Sequence, residues 1–206
     1  SEKCGVTLGI RDLTQYSTAK ELESFISQMC SGNGEGEKQK QDSGAVHEKR
    51  ERYPLTQTQL GIYVECMMNP ESVFYNLPGS FSFDASMDAE KLCRAVRKVL
   101  DAHPAVKCSI RTGEDGDTFM YPGGGLHVEI ERRSGTQEEF EAFFRGFARP
   151  FDLEKGPLYR IAVFSTETKV YLVTDFHHII SDGTSIAVFA EELDRVMRGM
   201  EPLGES

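Results

Sequence analysis

The chain has 206 residues, 39% of them hydrophobic and 10% aromatic, enough for a packed core and incompatible with global disorder. With 23 basic against 33 acidic residues the formal net charge is −10, which argues against nucleic acid or an anionic membrane as partner, since both are bound through basic surface. No run approaches the ~18 apolar residues of a membrane helix, and the first residues lack the basic start and apolar core of an export signal, so a cytoplasmic location is expected.

In chain order, residues 1–30 carry two short helical patterns. Thr18-Ala19-Lys20-Glu21 forms a capping box, and Leu22, Phe25, Ile26 and Met29 follow at helical spacing. Residues 31–50, SGNGEGEKQKQDSGAVHEKR, are too polar to offset their ordering entropy and read as a linker spanning roughly 25 Å on average. A dense α/β domain is expected over residues 51–206. Thr56-Gln57-Thr58-Gln59 caps a helix running towards Met68, and a strand is predicted over about 73–83. Ala89, Leu92, Cys93, Val96, Val99 and Leu100 form the apolar stripe of a helix. Residues 105–111 and 118–121 read as a hairpin around Glu114-Asp115-Gly116, and Leu126, Val128 and Ile130 alternate as a half-buried strand. Gly123-Gly124-Gly125 lacks the lysine and helix of a phosphate loop and reads as a connection. Thr136 to Glu139 caps a further helix whose Phe140, Phe143, Phe144 and Phe147 are core rather than a cofactor box. Strands over 158–164 and 169–176 precede a last helix from about 184 to 198. The five cysteines, at 4, 30, 66, 93 and 108, contain no C-x-x-C pair and read mostly as reduced thiols, with Cys93 simply part of a helix core.

Chemistry concentrates where the second of those strands meets the last helix, in Phe176-His177-His178-Ile179-Ile180-Ser181-Asp182-Gly183-Thr184-Ser185. Side chains alternate along a strand. If it persists to its end, His177 shares a face with Tyr171, Val173 and Asp175, while His178 joins Val170, Leu172, Thr174 and Phe176. One ring is then free for chemistry and the other packs or hydrogen-bonds. Gly183 permits close backbone approach, and the helix start offers unpaired N–H groups and a partial positive charge that favour a neutral imidazole. Asp182 is placed to brace the turn or pair with a cation. A neutral imidazole beside N–H donors suits acyl transfer. The competing readings are a purely structural histidine and a metal site, and no third His or Cys ligand lies near in sequence.

The string His177-His178-x-x-x-Asp182-Gly183 resembles the HHxxxDG signature of nonribosomal peptide synthetase condensation domains, within the chloramphenicol-acetyltransferase-like superfamily. Leu55-Thr56-x-x-Gln59-x-Gly61-Ile62-Tyr63 with Tyr75-Asn76-Leu77-Pro78 resembles the opening motif of that family. Pro150-Phe151-Asp152-Leu153-x-x-Gly156-Pro157-Leu158 resembles the strand entry before the histidines. The motif R-H-E-x-L-R-T is altered here to Asp101-Ala102-His103-Pro104-Ala105-Val106-Lys107. Val6 to Leu13 followed by Ser17-Thr18-Ala19 resembles the end of a peptidyl carrier protein, so residues 1–30 are expected to be a carrier fragment ahead of the linker.

The resemblance implies an α/β fold: one lobe of a chloramphenicol-acetyltransferase-like two-layer sandwich, with a mixed sheet and helices, preceded by short helices. It implies that residues 51–206 are the N-terminal lobe of a condensation domain whose C-terminal lobe is a partner, along with upstream and downstream carrier domains. No cofactor or metal is expected on the chain itself; the phosphopantetheine arms belong to the carriers. His178 is the expected central residue, as base or as positioner of the amine. Gly183 would admit pantetheine or supply an N–H, and His177 and Asp182 are structural members of the loop. Asp182 pairs in relatives with an arginine of the other lobe. The rival enzymes are a CoA-dependent acyltransferase and an epimerization domain, whose usual tryptophan is replaced by Ile186. A non-catalytic carrier-docking lobe is the contrasting class.

Overall fold

A computed structural model describes residues 51–204 except Glu114, Asp115 and residues 124–128. The expected carrier fragment (1–30), the linker (31–50) and the alternation at Leu126 and Val128 therefore lie outside the described residues, as do Gly124 and Gly125.

The elements, in order, are β1 (Tyr53–Pro54), α1 (Gln57–Met68), β2 (Asn76–Asp84), α2 (Ala89–Ala102), a 3₁₀ turn (Pro104–Val106), β3 (Cys108–Thr112), β4 (Thr118–Pro122), β5 (Glu131–Ser134), α3 (Gln137–Arg145), β6 (Tyr159–Ser165), β7 (Lys169–His177) and α4 (Gly183–Met197). They form a four-stranded sheet of order β2-β7-β6-β5 and a three-stranded one of order β1-β4-β3. In the larger sheet β7 runs antiparallel to both neighbours and β5 is parallel to β6, so the sheet is mixed. Pro78 sits in β2, at the sheet edge where a missing N–H is tolerated.

Alternation along β6 and β7 divides the core. Ile161, Val163, Val170, Leu172 and Phe176 pack with the stripe of α2, Leu92 to Leu100, and with Phe189 and Leu193 of α4. Ala162, Phe164 and Val173 face the other way, onto Phe140 and Phe147, so α3 covers the second face of the sheet. The phenylalanines are core, as their spacing predicts. A separate core joins Ile62 and Tyr63 of α1 to Cys108 and Ile110 of the small sheet and to Ile179. The expected fold class, an α/β sandwich around a mixed sheet, is the one present.

Three local expectations shift. The strand predicted from 73 begins at Asn76, because a turn closed by Asn76 N–H onto Val73 O (3.0 Å) precedes it. The hairpin starts at Cys108 rather than 105, since Pro104 initiates a one-turn 3₁₀ helix. The strand expected through Ile130 carries its ladder at 131–134, in register with Ala162–Ser165, while Ile130 itself is buried as expected. Cys66, Cys93 and Cys108 are free thiols, with Cys93 and Cys108 buried.

Candidate active site

The loop between β7 and α4 sits where two of the three cores meet, that of α2 and α4 and that of α1. β7 ends at His177, whose side chain is only 4% exposed. Its ring lies between Tyr75 (6.3 Å between centroids) and Phe151 (5.8 Å, edge-on). Ile179 N–H donates to His177 Nδ1 (3.2 Å). The ring proton is therefore on Nε2, which faces Cys66 Sγ at 3.6 Å. Burial, helped by His178 and Arg160 nearby, pushes the His177 pKa down to about 4. His177 is thus held neutral and packed between the two rings.

His178 is the first residue past the strand, and its side chain is exposed. The strand does not persist as the alternation argument assumed; the two rings diverge because the chain turns. The His178 N–H donates to Tyr75 O (2.7 Å), tying the turn to the segment before β2. Its Nδ1–H donates to Ser181 O (2.8 Å). A carbonyl can only accept, so this bond fixes the tautomer: in the neutral ring Nε2 carries a lone pair, on the exposed edge.

The turn is fastened from several sides. Ser181 Oγ–H donates to His177 O (3.2 Å), Ile180 N–H donates to the same carbonyl (3.0 Å), and Gln59 Nε2–H donates to Ile179 O (2.9 Å) from α1. Asp182 is the N-cap of α4. Its carboxylate accepts from Ser185 N–H and Ser185 Oγ–H, both at 2.8 Å, and the Asp182 N–H donates back to Ser185 Oγ. These bonds hold its carboxyl below the usual range. Asp182 thus ties its own backbone to Ser185 and forms no ion pair among the described residues.

Gly183 opens α4, and a Cβ placed on it would meet nothing within 4 Å. Its φ is not in the left-handed region, so neither backbone geometry nor packing within these residues demands glycine. What glycine leaves there is open space beside the helix N-terminus.

The sequence reading missed the network behind His177. Asp175, fully buried, accepts from Asn76 Nδ2–H (2.8 Å) and from the Arg160 guanidinium (2.6 Å). Arg160 also donates to Arg149 O and Pro150 O and lies 3.7 Å over the Phe151 ring. Burial raises the Asp175 carboxyl, against the pull of Asn76 and Arg160. One signal was available: a lone acid in an apolar strand, on the His177 face, needs a partner. Gln59 was read only as a helix cap, and its bond across to Ile179 has no signature in local spacing. Among the described residues no group of three or more His, Cys, Asp or Glu side chains is placed to hold a metal, and no helix is long and apolar enough to cross a membrane.

The arrangement offers an exposed imidazole edge with a fixed tautomer, a rigid turn beneath it, and a helix N-terminus with space beside it. The family model "Condensation domain" matches residues 49–202. Surfactin synthase subunit 1 of Bacillus subtilis (strain 168) is 32% identical over 154 residues, 74% of this chain and 4% of that protein. Gramicidin S synthase 2 of Brevibacillus brevis is 27% identical over 196 residues, 94% of this chain and again 4% of the relative. The fold is similar to that of the starter condensation domain of rhizomide synthetase RzmA, with a TM-score of 0.67 and 20% identity over 76% of this chain and 42% of the other. It is also similar to the first condensation domain of the CDA synthetase, with a TM-score of 0.63 and 23% identity over 77% and 44%. The chain thus spans a small part of the curated relatives and under half of these solved domains. On its motifs, its fold and the match over residues 49–202, this chain belongs to the condensation domain family.

Proposed function

We propose that residues 51–206 form the N-terminal lobe of a condensation domain that makes amide bonds in a nonribosomal peptide synthetase. In this reading an upstream carrier presents an acyl or peptidyl thioester and a downstream carrier presents an aminoacyl thioester, each on a phosphopantetheine arm. The downstream amine nitrogen attacks the upstream thioester carbonyl carbon. A C–N bond forms, the C–S bond breaks, and the upstream pantetheine thiol leaves. His178 acts at the amine: its Nε2 lone pair accepts the N–H hydrogen bond, orienting the nitrogen and taking or steering the proton that must be lost. The open space at Gly183 admits the arm, and the first turn of α4 faces the oxygen on which charge develops. His177 and Asp182 keep the turn in place. The observation that carries the reading is the Nδ1–H bond from the exposed His178 to Ser181 O, which leaves Nε2 of the neutral ring as the nitrogen with a lone pair.

Residues 1–30 belong, in the same proposal, to the end of the donor carrier, and residues 31–50 tether it at roughly millimolar effective concentration. The gramicidin S synthase 2 match supports this, because its 196 residues extend beyond the condensation segment. Since the chain covers under half of the solved condensation domains, these residues alone are expected to be inactive, and the synthetase is expected to work in the cytoplasm. A single-turnover assay with both carriers loaded tests the proposal. Dipeptidyl thioester from the complete synthetase and none from the 206 residues supports it. Inverted stereochemistry of the loaded residue without dipeptide, or acyl transfer from free CoA, contradicts it in favour of one of the rival enzymes.

A further inference from the structure

Asp175 lies fully buried on β7, two residues before His177. Its Oδ2 accepts from Asn76 and Arg160, while Oδ1 is sealed from solvent and has no partner among the described residues. Replacing a buried ion pair with packed apolar side chains is often neutral for stability or favourable, so stability alone does not account for this one. What it supplies is fixed geometry on both flanks of His177. On one flank, Asn76 Nδ2 donates to Asp175 Oδ2 (2.8 Å) and to Arg149 O (2.9 Å), which pins the first residue of β2. The residue before it is Tyr75, whose ring stands beside His177 and whose carbonyl accepts the His178 N–H (2.7 Å). On the other flank, the Arg160 guanidinium donates to Asp175 Oδ2, Arg149 O and Pro150 O and lies 3.7 Å from the centre of the Phe151 ring. Phe151 in turn meets His177 edge-on. One ion pair therefore ties down both rings that enclose His177 and the carbonyl that holds the next residue.

We propose that Arg160 is a positioning residue for amide formation: with Asp175 and Asn76 it fixes the Tyr75 and Phe151 walls, and through them the place where His178 meets the amine. The proposal deepens the condensation reading and rests on it. Arg160 acts through His178 rather than on the substrate. Its action needs the planar fork of the guanidinium, which bonds a carboxylate and two carbonyls at once while stacking on Phe151. Lysine keeps a charge opposite Asp175 but has a single nitrogen and no plane to stack.

The test is a double-mutant cycle in the complete synthetase, with the donor carrier loaded and a soluble aminoacyl thioester as acceptor. R160K is expected to lower the maximal rate of amide formation about tenfold, part of the ~100-fold that a 1 Å misplacement costs. The half-saturating acceptor concentration stays unchanged, because binding common to ground and transition state is untouched. In the H178A background the same substitution is expected to cost less than about twofold, since the residue it positions is gone. F151L removes the ring under Arg160 without touching a buried charge. It is expected to show the same pattern with a smaller loss, and it decides the matter if R160K fails to fold. A wild-type rate in R160K, or losses that multiply when R160K or F151L is combined with H178A, overturn the proposal and leave the condensation reading standing. H178A at the wild-type rate overturns the role read for His178 and this proposal with it.

Discussion

At the residue scale, one peptide bond separates a buried ring, His177, from an exposed one, His178. Burial makes His177 a poor base, with a pKa near 4 against 6.5 for an ordinary histidine. The unfolded chain therefore takes up a proton that the folded chain refuses. Stability is unaffected by this residue above about pH 7 and falls as the pH drops from 6.5 towards about 4, by on the order of 3 kcal/mol in all. Urea unfolding at pH 7.5 and pH 5 reads this directly; the wild type is expected to lose stability over that interval and H177N to lose less. An equal loss in both would remove His177 as the cause. The divergence of the two rings was legible only through an argument whose premise fails, since alternation assumed a strand through His178 and β7 ends at His177. The direction of the His178 ring was not legible, because it depends on where β7 ends and on the carbonyl of Ser181, three residues further on.

At the scale of elements, the caps were the most readable feature. Thr56 with Gln59 and Thr136 with Glu139 form the expected capping boxes at the starts of α1 and α3, because a cap is a local bond between residues of fixed spacing. Asp182 belongs to the same class, and D182A is expected to lower the thermal unfolding midpoint, with D182N retaining more of it. If D182A melts with the wild type, the Ser185 bonds contribute nothing to the loop. Long-range ties were not legible. Arg160 on β6 and Asp175 on β7 bind each other, the end of the 149–150 segment and Asn76 on β2. Removing the cation leaves a buried acid unpaired, so R160M is expected to cost about 3 kcal/mol in denaturant unfolding, with R160M/D175N recovering part of it. The misplaced start of the hairpin has a different cause: the run from Ala105 reads as strand by composition, but Pro104 favours a turn first.

At the scale of the whole molecule, α1 and the residues after it present an apolar face. Leu60, Val64, Met67 and Met68 recur at helical spacing and are 38–75% exposed, and Phe74 is 77% exposed. Surfaces of this kind associate. The 206 residues are expected to self-associate as concentration rises, measured as weight-average mass by sedimentation, and M68S/F74S to shift the mass towards the monomer. A strict monomer at high concentration would mean that this face needs no cover. The sequence showed the same hydrophobic residues but not their exposure, since helical periodicity alone cannot say which stripe of α1 packs. The size of the assembly also sets where the chemistry must be tested, because the chain covers 42% of one solved condensation domain and 44% of another. The decisive measurement is single-turnover amide formation by the complete synthetase with both carriers loaded, wild type against H178A, with folding of each checked by thermal melting. The account predicts a loss of at least about 100-fold with an unchanged melting temperature, because the His178 side chain is exposed and, among the described residues, bonds only to its own turn. Dipeptide formation at the wild-type rate in H178A would contradict the assignment of His178 as the residue that acts on the amine.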